Sequence, residues 1–293
     1  MLILLRSKRC GIVVAVRFRL MIIGIGSIIL VACASVNQDQ VDLHALRYGK
    51  SEFPEKQIFR DSKERTLPFS WMFWMVKEPE GYSLIDCGLE DQKFIDKWKI
   101  DEYKSPSELI TILRTSKKDI SRVIITHLHA DHIDGCSNYP NADFYLQRKE
   151  YRAILDAFEN SADSKISSRG YYREHLNFIK KMKDEGRLVL INGDQKISEN
   201  ISVELAPYHT KGTQTVIVKS NNQTVYIVPD NAYLSENIDD LAPIGSATDI
   251  EGNKQYLGLL KARKASGALI IPGHEPKIFD SYTKIKPNIV KLK

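Results

Sequence analysis

The chain is 293 residues long, 43% hydrophobic and 27% charged, the balance of a globular protein with a sizeable core rather than of a disordered one. Its formal net charge is +5, yet residues 1–33 hold Arg6, Lys8, Arg9, Arg17 and Arg19 and no acid, so the remainder carries 37 basic against 37 acidic residues. The excess is terminal, which removes the support for a phosphate-binding surface and excludes nucleic acid from the expected partners.

After Arg19 comes LMIIGIGSIILVA, an apolar run whose length suits a signal h-region better than a membrane span. It stops at LVAC, Leu30 to Cys33, which resembles the lipobox of bacterial lipoproteins. The resemblance implies that residues 1–33 are signal and anchor and that Cys33 carries lipid. The body would then lie outside the cytoplasm, on the periplasmic side or surface of a bacterium, tethered to a membrane. The alternative is an uncleaved N-terminal anchor in which Cys33 plays no part. Residues 34–65 are polar and, apart from LHALRYG, without periodicity; they read as tether and domain entry. The folded domain is expected over 66–293.

Within it, FSWMFWMV (69–76) and YSLIDCG (82–88) read as a strand pair joined by the turn-rich KEPEG. Ser105, Pro106 and Glu108 form a capping-box start for a helix over 105–115, with Leu109, Ile110 and Leu113 on one face. RVIITH (122–127) and ADFYLQ (142–147) are short buried strands, followed by amphipathic helices near 148–159 and 171–185. RLVLING, ISVELAPY, QTVIVKS and TVYIVPD are four further strand-like runs. A helix over 248–263, with Thr248 and Glu251 in box positions, precedes a last strand, ALIIPGH (268–274). The alternation is compatible with sheet packed on sheet with helices outside, or with a single mixed sheet.

The chemistry concentrates in THLHADHIDG (126–135). His127, His129, Asp131 and His132 follow a predicted strand directly. His127 and His129, two apart, point the same way in extended geometry, while Asp131 and His132 turn toward a second point. As a polar surface loop such a set would be unusual. Imidazole nitrogen and carboxylate oxygen are ligands for zinc-like divalent ions, and one loop can serve two adjacent positions. His209, Asp230 and His274 each end a later strand-like run, as a site at one sheet edge requires. His44 and His175 fit no such pattern and read as structural or surface residues. Cys87 and Cys136 are too few for a disulfide framework.

HLHADH, then HTKG (209–212), VPD (228–230) and PGH (272–274) resemble, in order, the motifs of the metallo-β-lactamase superfamily, with LIDCG (84–88) as the strand before the first motif. The resemblance covers roughly 66–280. It implies an α+β fold, a four-layer αββα sandwich, and two divalent metal ions, expected to be zinc. His127, His129 and His209 would hold one ion, Asp131, His132 and His274 the other, and Asp230 would bridge them. Asp86 would orient a ligand histidine; read by itself it is a turn acid beside Gly88. HTKGT, with Lys211 and Thr213, departs from the family's common HTPGH, and Cys87 stands where Thr is common. Cys87 and Cys136 are read as thiols, a disulfide beside the site being the alternative.

VPDNAY, PIG (243–245) and IIPGHEP further resemble the quorum-quenching N-acyl homoserine lactonases. This implies attack of a metal-bridging hydroxide on a small-molecule lactone or ester, Tyr233 meeting the carbonyl or leaving group and Asp131 passing a proton. Tyr233 as an ordinary half-buried tyrosine is the plainer reading. Tyr151, Phe158, Tyr171, Tyr172 and Phe178 are expected either to wall an acyl pocket or to form the core face of two helices. The enzymatic alternatives are a glyoxalase-II-like thioesterase, another esterase or phosphoesterase, and, last, a β-lactamase. The non-enzymatic one is a metal-binding surface lipoprotein.

Overall fold

The computed structural model describes residues 41–160, 170–220 and 223–293. Residues 1–33, with Cys33 and the expected signal, lie outside the described residues. Among the described residues no helix is long and apolar enough to cross a membrane.

Two sheets form. In chain order the strands are β1 (Asp42–Pro54), β2 (Thr66–Glu78), β3 (Gly81–Ile85), β4 (Ile120–Ile124), β5 (Asp143–Gln147), β6 (Leu188–Ile191), β7 (Gln195–Lys196), β8 (Ile201–Leu205), β9 (Gln214–Ser220), β10 (Gln223–Ile227), β11 (Leu269–Ile271), β12 (Thr283–Lys286) and β13 (Ile289–Lys291). The larger sheet runs β12-β13-β1-β2-β3-β4-β5-β6 and the smaller β11-β10-β9-β8-β7. The predicted β2–β3 hairpin is antiparallel, while β3, β4, β5 and β6 run parallel.

The apolar residues assort by strand parity into three cores, and this settles sandwich against single sheet. On β2, Met72, Trp74 and Val76 face Val203, Val216, Val225 and Ile227 of the smaller sheet, in the core between the sheets. The alternate residues Trp71, Phe73 and Met75 face outward onto a helix layer with Leu109, Ile110, Leu176 and Ile179. Tyr256, Leu257 and Leu260 cover the other sheet through Ala206 and Val228. Helix, sheet, sheet, helix is the αββα order expected.

The helices are α1 (Glu55–Ile58), α2 (Gln92–Lys97), α3 (Pro106–Ile112), α4 (Ala130–Ile133), α5 (Arg148–Leu155), α6 (Arg173–Asp184), α7 (Ser235–Asp239), α8 (Ile250–Ala265) and α9 (Ile278–Ser281). The capping box of α3 is present, Ser105 accepting from Glu108 N–H and Glu108 from Ser105 N–H. That of α8 is displaced by one residue: Asp249 caps it, and the Thr248 hydroxyl donates instead to Tyr208 O at 3.0 Å.

Two expectations are corrected. Residues 34–65 are not a tether throughout, because β1, 13 residues long, lies between β13 and β2 in the larger sheet. Its polar residues concealed it. Arg47 is buried over the Phe279 ring and reaches Pro287 O and Asn288 Oδ1, partners 240 residues away that no local pattern reveals. The strands β12 and β13 that complete this edge also went unpredicted. Finally, Cys87 and Cys136 are joined as a disulfide across 49 residues. The two segments are brought together where the chain after α4 returns to the end of β3, with Cys87 N–H donating to His132 O and Gly135 N–H to Gly88 O.

Candidate active site

The strand ends deliver the ligand-type residues to one place. Beyond β4 come Thr126 to His132; His209 follows β8, Asp230 follows β10, His274 follows β11, and Asp86 follows β3. Strands β3 and β4 belong to the larger sheet and β8, β10 and β11 to the smaller, so only packing of one sheet on the other joins these residues. His127, His129, His209 and Asp230 form one group, and Asp131, His132, His274 and Asp230 the other; within each, one donor atom per residue lies within 4.8 Å of the rest. All seven residues named from the sequence as ligands are therefore together.

The carboxylate of Asp230 divides its oxygens between the groups. Its Oδ1 is 3.2 Å from His132 Nε2 and 3.1 Å from His274 Nε2. Its Oδ2 is 3.3 Å from His209 Nε2 and 3.6 Å from His127 Nε2. Asp131 Oδ2 lies 3.1 Å from His132 Nε2 and 3.8 Å from His274 Nε2.

Hydrogen bonds on the far side of each ring fix which nitrogen faces inward. His132 Nδ1 is 2.7 Å from Asp86 Oδ2, and His274 Nδ1 is 3.0 Å from Ser70 O; both partners only accept, so each Nδ1 donates and leaves the Nε2 lone pair to the site. The Thr126 hydroxyl donates to Asp86 at 2.7 Å, which leaves its oxygen to accept from His127 Nδ1 at 3.2 Å. Asp86 is thus a hub, and it also accepts from Thr126 N–H at 2.7 Å. It holds a left-handed backbone, φ 61°, rare for a residue other than glycine.

Electrostatics favour the ligating forms of His127, His129, His209 and Asp230, and the protonated form of His132. Burial, the largest cause, lowers the pKa of His127 and His129 and takes that of His209 to about 3. Burial works against ionised Asp230, but His132, His127 and His209 around it outweigh that and hold it well below the usual carboxylate range. Burial likewise opposes charge on His132, and Asp131, Asp230 and Asp86 overcome it to raise its pKa well above 6.5. The Nε2 atoms of His127 and His132 are fully buried without a hydrogen bond. Orphaned nitrogens facing carboxylate oxygens are costly unless a cation binds them, so the donor set fits two divalent ions.

Sequence reading missed Glu150. It is fully buried on α5 and its Oε1 accepts from Leu128 N–H and Tyr171 O–H, each at 3.0 Å. Its Oε2 accepts from the Thr210 hydroxyl at 2.7 Å and Gly212 N–H at 2.9 Å. One carboxylate therefore ties the His127–His129 loop to the His209 loop. Gly212 is required there, since a Cβ would lie 2.3 Å from Glu150 N. The signal was an acid one turn before Ile154 on the apolar stripe of a helix.

A cavity of about 200 Å³ opens on the two groups. Its walls include Phe53, Phe69, Trp71, Trp98 and Tyr172, with Lys97 and Gln57. Of the five aromatics expected from 148–185, only Tyr172 lines it; Tyr151, Phe158, Tyr171 and Phe178 pack in the helix-side core. The wall comes instead from β1, β2 and the end of α2. Tyr233 lines the cavity too, its hydroxyl 2.7 Å from Ser246 Oγ, which is 3.1 Å from His209 Nδ1. His44 and His175 lie elsewhere; His175 is buried and bonds Asp134 at 3.2 Å, a structural role as expected.

An αββα sandwich with a carboxylate-bridged pair of His/Asp groups at its strand ends defines a metal-dependent hydrolase. The chain belongs to the metallo-beta-lactamase superfamily, whose profile matches residues 67–274. It is 21% identical over 216 residues to N-acyl homoserine lactonase AiiA of Bacillus thuringiensis subsp. kurstaki, covering 69% of this chain and 80% of that one. A crystal structure of a quorum-quenching N-acyl homoserine lactone lactonase matches with TM-score 0.70 and 20% identity, over 86% of this chain and 98% of the other. The dizinc quorum-quenching lactonase AidC, solved with a product, matches with TM-score 0.64 and 19% identity, over 87% and 94%. Family membership makes this chain a metal-dependent hydrolase rather than a binding module.

Proposed function

We propose that the protein opens lactone rings in the manner of an N-acyl homoserine lactonase. The observation that carries this is the cavity itself. Its aromatic wall suits an acyl chain and ends at the bridged double group, with a tyrosine hydroxyl beside it. His127, His129 and His209 would hold one divalent ion, Asp131, His132 and His274 the second, and Asp230 both. When bound, the two ions supply Lewis acidity, lowering the pKa of a water and polarising the ester carbonyl. Phe53, Phe69, Trp71 and Trp98 hold the acyl chain and exclude water. Burial, helped by Asp230, pushes the Tyr233 phenol well above its usual pKa, so it stays a donor toward the oxygen that gains charge. Ser246 keeps that hydroxyl in place. Asp131 is held ionised mainly by His132, against the effect of its burial. In that form it accepts a proton and returns it to the alkoxide that leaves.

Residues 34–293 reconstituted with zinc should release protons from short- or long-chain N-acyl homoserine lactones, and Asp230→Asn should not. A two-zinc protein inert on every lactone would sink the reading and move the substrate to thioesters or phosphoesters.

The lipoprotein reading belongs to the same proposal: Cys33 carries lipid and the enzyme works outside the cytoplasm. The Cys87–Cys136 disulfide supports it, because such bonds persist in oxidising compartments.

A further inference from the structure

We propose that the Cys87–Cys136 disulfide is a positioning element for one metal group alone, that of Asp131, His132 and His274. The inference rests on the reading of these residues as ligands.

The two cysteines sit on the two backbone segments whose alignment orients His132. Cys87 follows Asp86 directly, and Cys136 lies four residues after His132. Cys87 N–H donates to His132 O at 2.8 Å, and Gly135 N–H to Gly88 O at 3.0 Å. The segments touch with no side chain between them, since a Cβ at Gly135 would fall 2.4 Å from Cys87 O. Both sulfurs are fully buried, with the Cα atoms 5.1 Å apart.

The seam's one direct contact with a ligand is Asp86 Oδ2 to His132 Nδ1 at 2.7 Å, which aims Nε2 at the site, whereas His127 is reached from Asp86 only through the Thr126 hydroxyl. Asp86 makes it from a left-handed backbone, φ 61°, that a non-glycine residue keeps only when its surroundings impose it. Hydrogen bonds along the seam open and close; the S–S bond does not, and it anchors the residue next to Asp86. The other group is braced elsewhere, by Glu150 through Leu128, Thr210 and Gly212. Loss of the cross-link should therefore be felt by one group and not the other.

The test is zinc affinity, measured on the full-length protein by competition with a chelator. In Cys87→Ala/Cys136→Ala one equivalent should keep its wild-type Kd and the other should bind about 10–100-fold more weakly, the range for loss of a group that supports a ligand. Amide exchange should rise in 132–136 but not in the sheets. Asp86→Asn, with the disulfide intact, removes the acceptor for His132 and disturbs Thr126 beside His127 as well, so it should weaken both equivalents where the cysteine variant weakens one. Equal weakening of both equivalents, no weakening, or loss of the cooperative melt in the cysteine variant overturns the proposal. A wild-type protein that takes fewer than two zinc ions overturns the ligand reading beneath it as well.

Discussion

At the scale of single residues, the site is a set of donors whose orientation is decided one hydrogen bond away. Tyr233→Phe removes a donor aimed at developing charge and little of the packing around it. We expect kcat on a lactone to fall about 100-fold with KM nearly unchanged, as steady-state kinetics would show. Glu150→Gln keeps the volume but turns amide hydrogens toward two of its four donors, the pair on one carboxylate oxygen. That should cost about 3 kcal/mol in a denaturant melt and weaken zinc at the His127, His129 and His209 group by about tenfold or more. His132 gives the pH dependence. Its pKa is raised in the folded metal-free protein, above the ordinary 6.5. Its stabilising contribution is therefore complete below pH 6.5 and lost as pH rises through the folded value. A metal ion must displace that proton, so zinc uptake should acidify a weakly buffered solution, and zinc affinity should climb with pH above 6.5. Titration calorimetry in two buffers of different ionisation enthalpy counts the protons released.

At the scale of elements, β1 decides whether the domain exists. It pairs with β2 from Asp42↔Lys77 to Pro54↔Thr66 and with β13 through His44, Ala45 and Leu46. Removing it would expose edges on both neighbours and uncover Trp74 and Val76, which are fully buried. A chain shortened to begin at Thr66 should fail to give a cooperative melt, whereas one beginning at Gln40 should melt like the full chain; circular dichroism distinguishes the two. The same strand supplies Phe53 to the cavity, so the element read as a linker both holds the sheet and shapes the pocket. The disulfide adds to this. In the chain-entropy treatment a cross-link spanning 49 residues contributes about 4 kcal/mol.

At the scale of the molecule, the strand that opens the described chain runs the length of the larger sheet to the cavity, and the lipoprotein proposal is tested at Cys33. Asp42 begins β1 and Phe53, near its other end, lines the cavity. Asp42 thus lies about 35 Å along the strand from Phe53, at the 3.3 Å rise of a strand. Cys33→Ser should move the protein from the membrane to the soluble fraction or leave its signal uncleaved. Unaltered mass and fractionation would remove the lipoprotein reading.

The sequence by itself determined the seven clustered side chains and the order in which strands deliver them. Each ligand is marked locally, by a strand that stops and a His or Asp that follows, and the i, i+2 spacing of His127 and His129 is a property of one strand end. The α3 cap and the β2–β3 hairpin were legible for the same reason, since their partners lie within a few residues. What only the tertiary structure decided depends on residues distant in the chain. Arg47 is satisfied by Asn288, Glu150 joins loops 22 and 60 residues away, and Cys87 meets Cys136 because the chain after α4 folds back onto the end of β3. The aromatic wall is another case, drawn from β1, β2 and α2 rather than from the helices that hold most of the expected aromatics. Periodicity records which face of an element is apolar; it does not record which other element that face will meet.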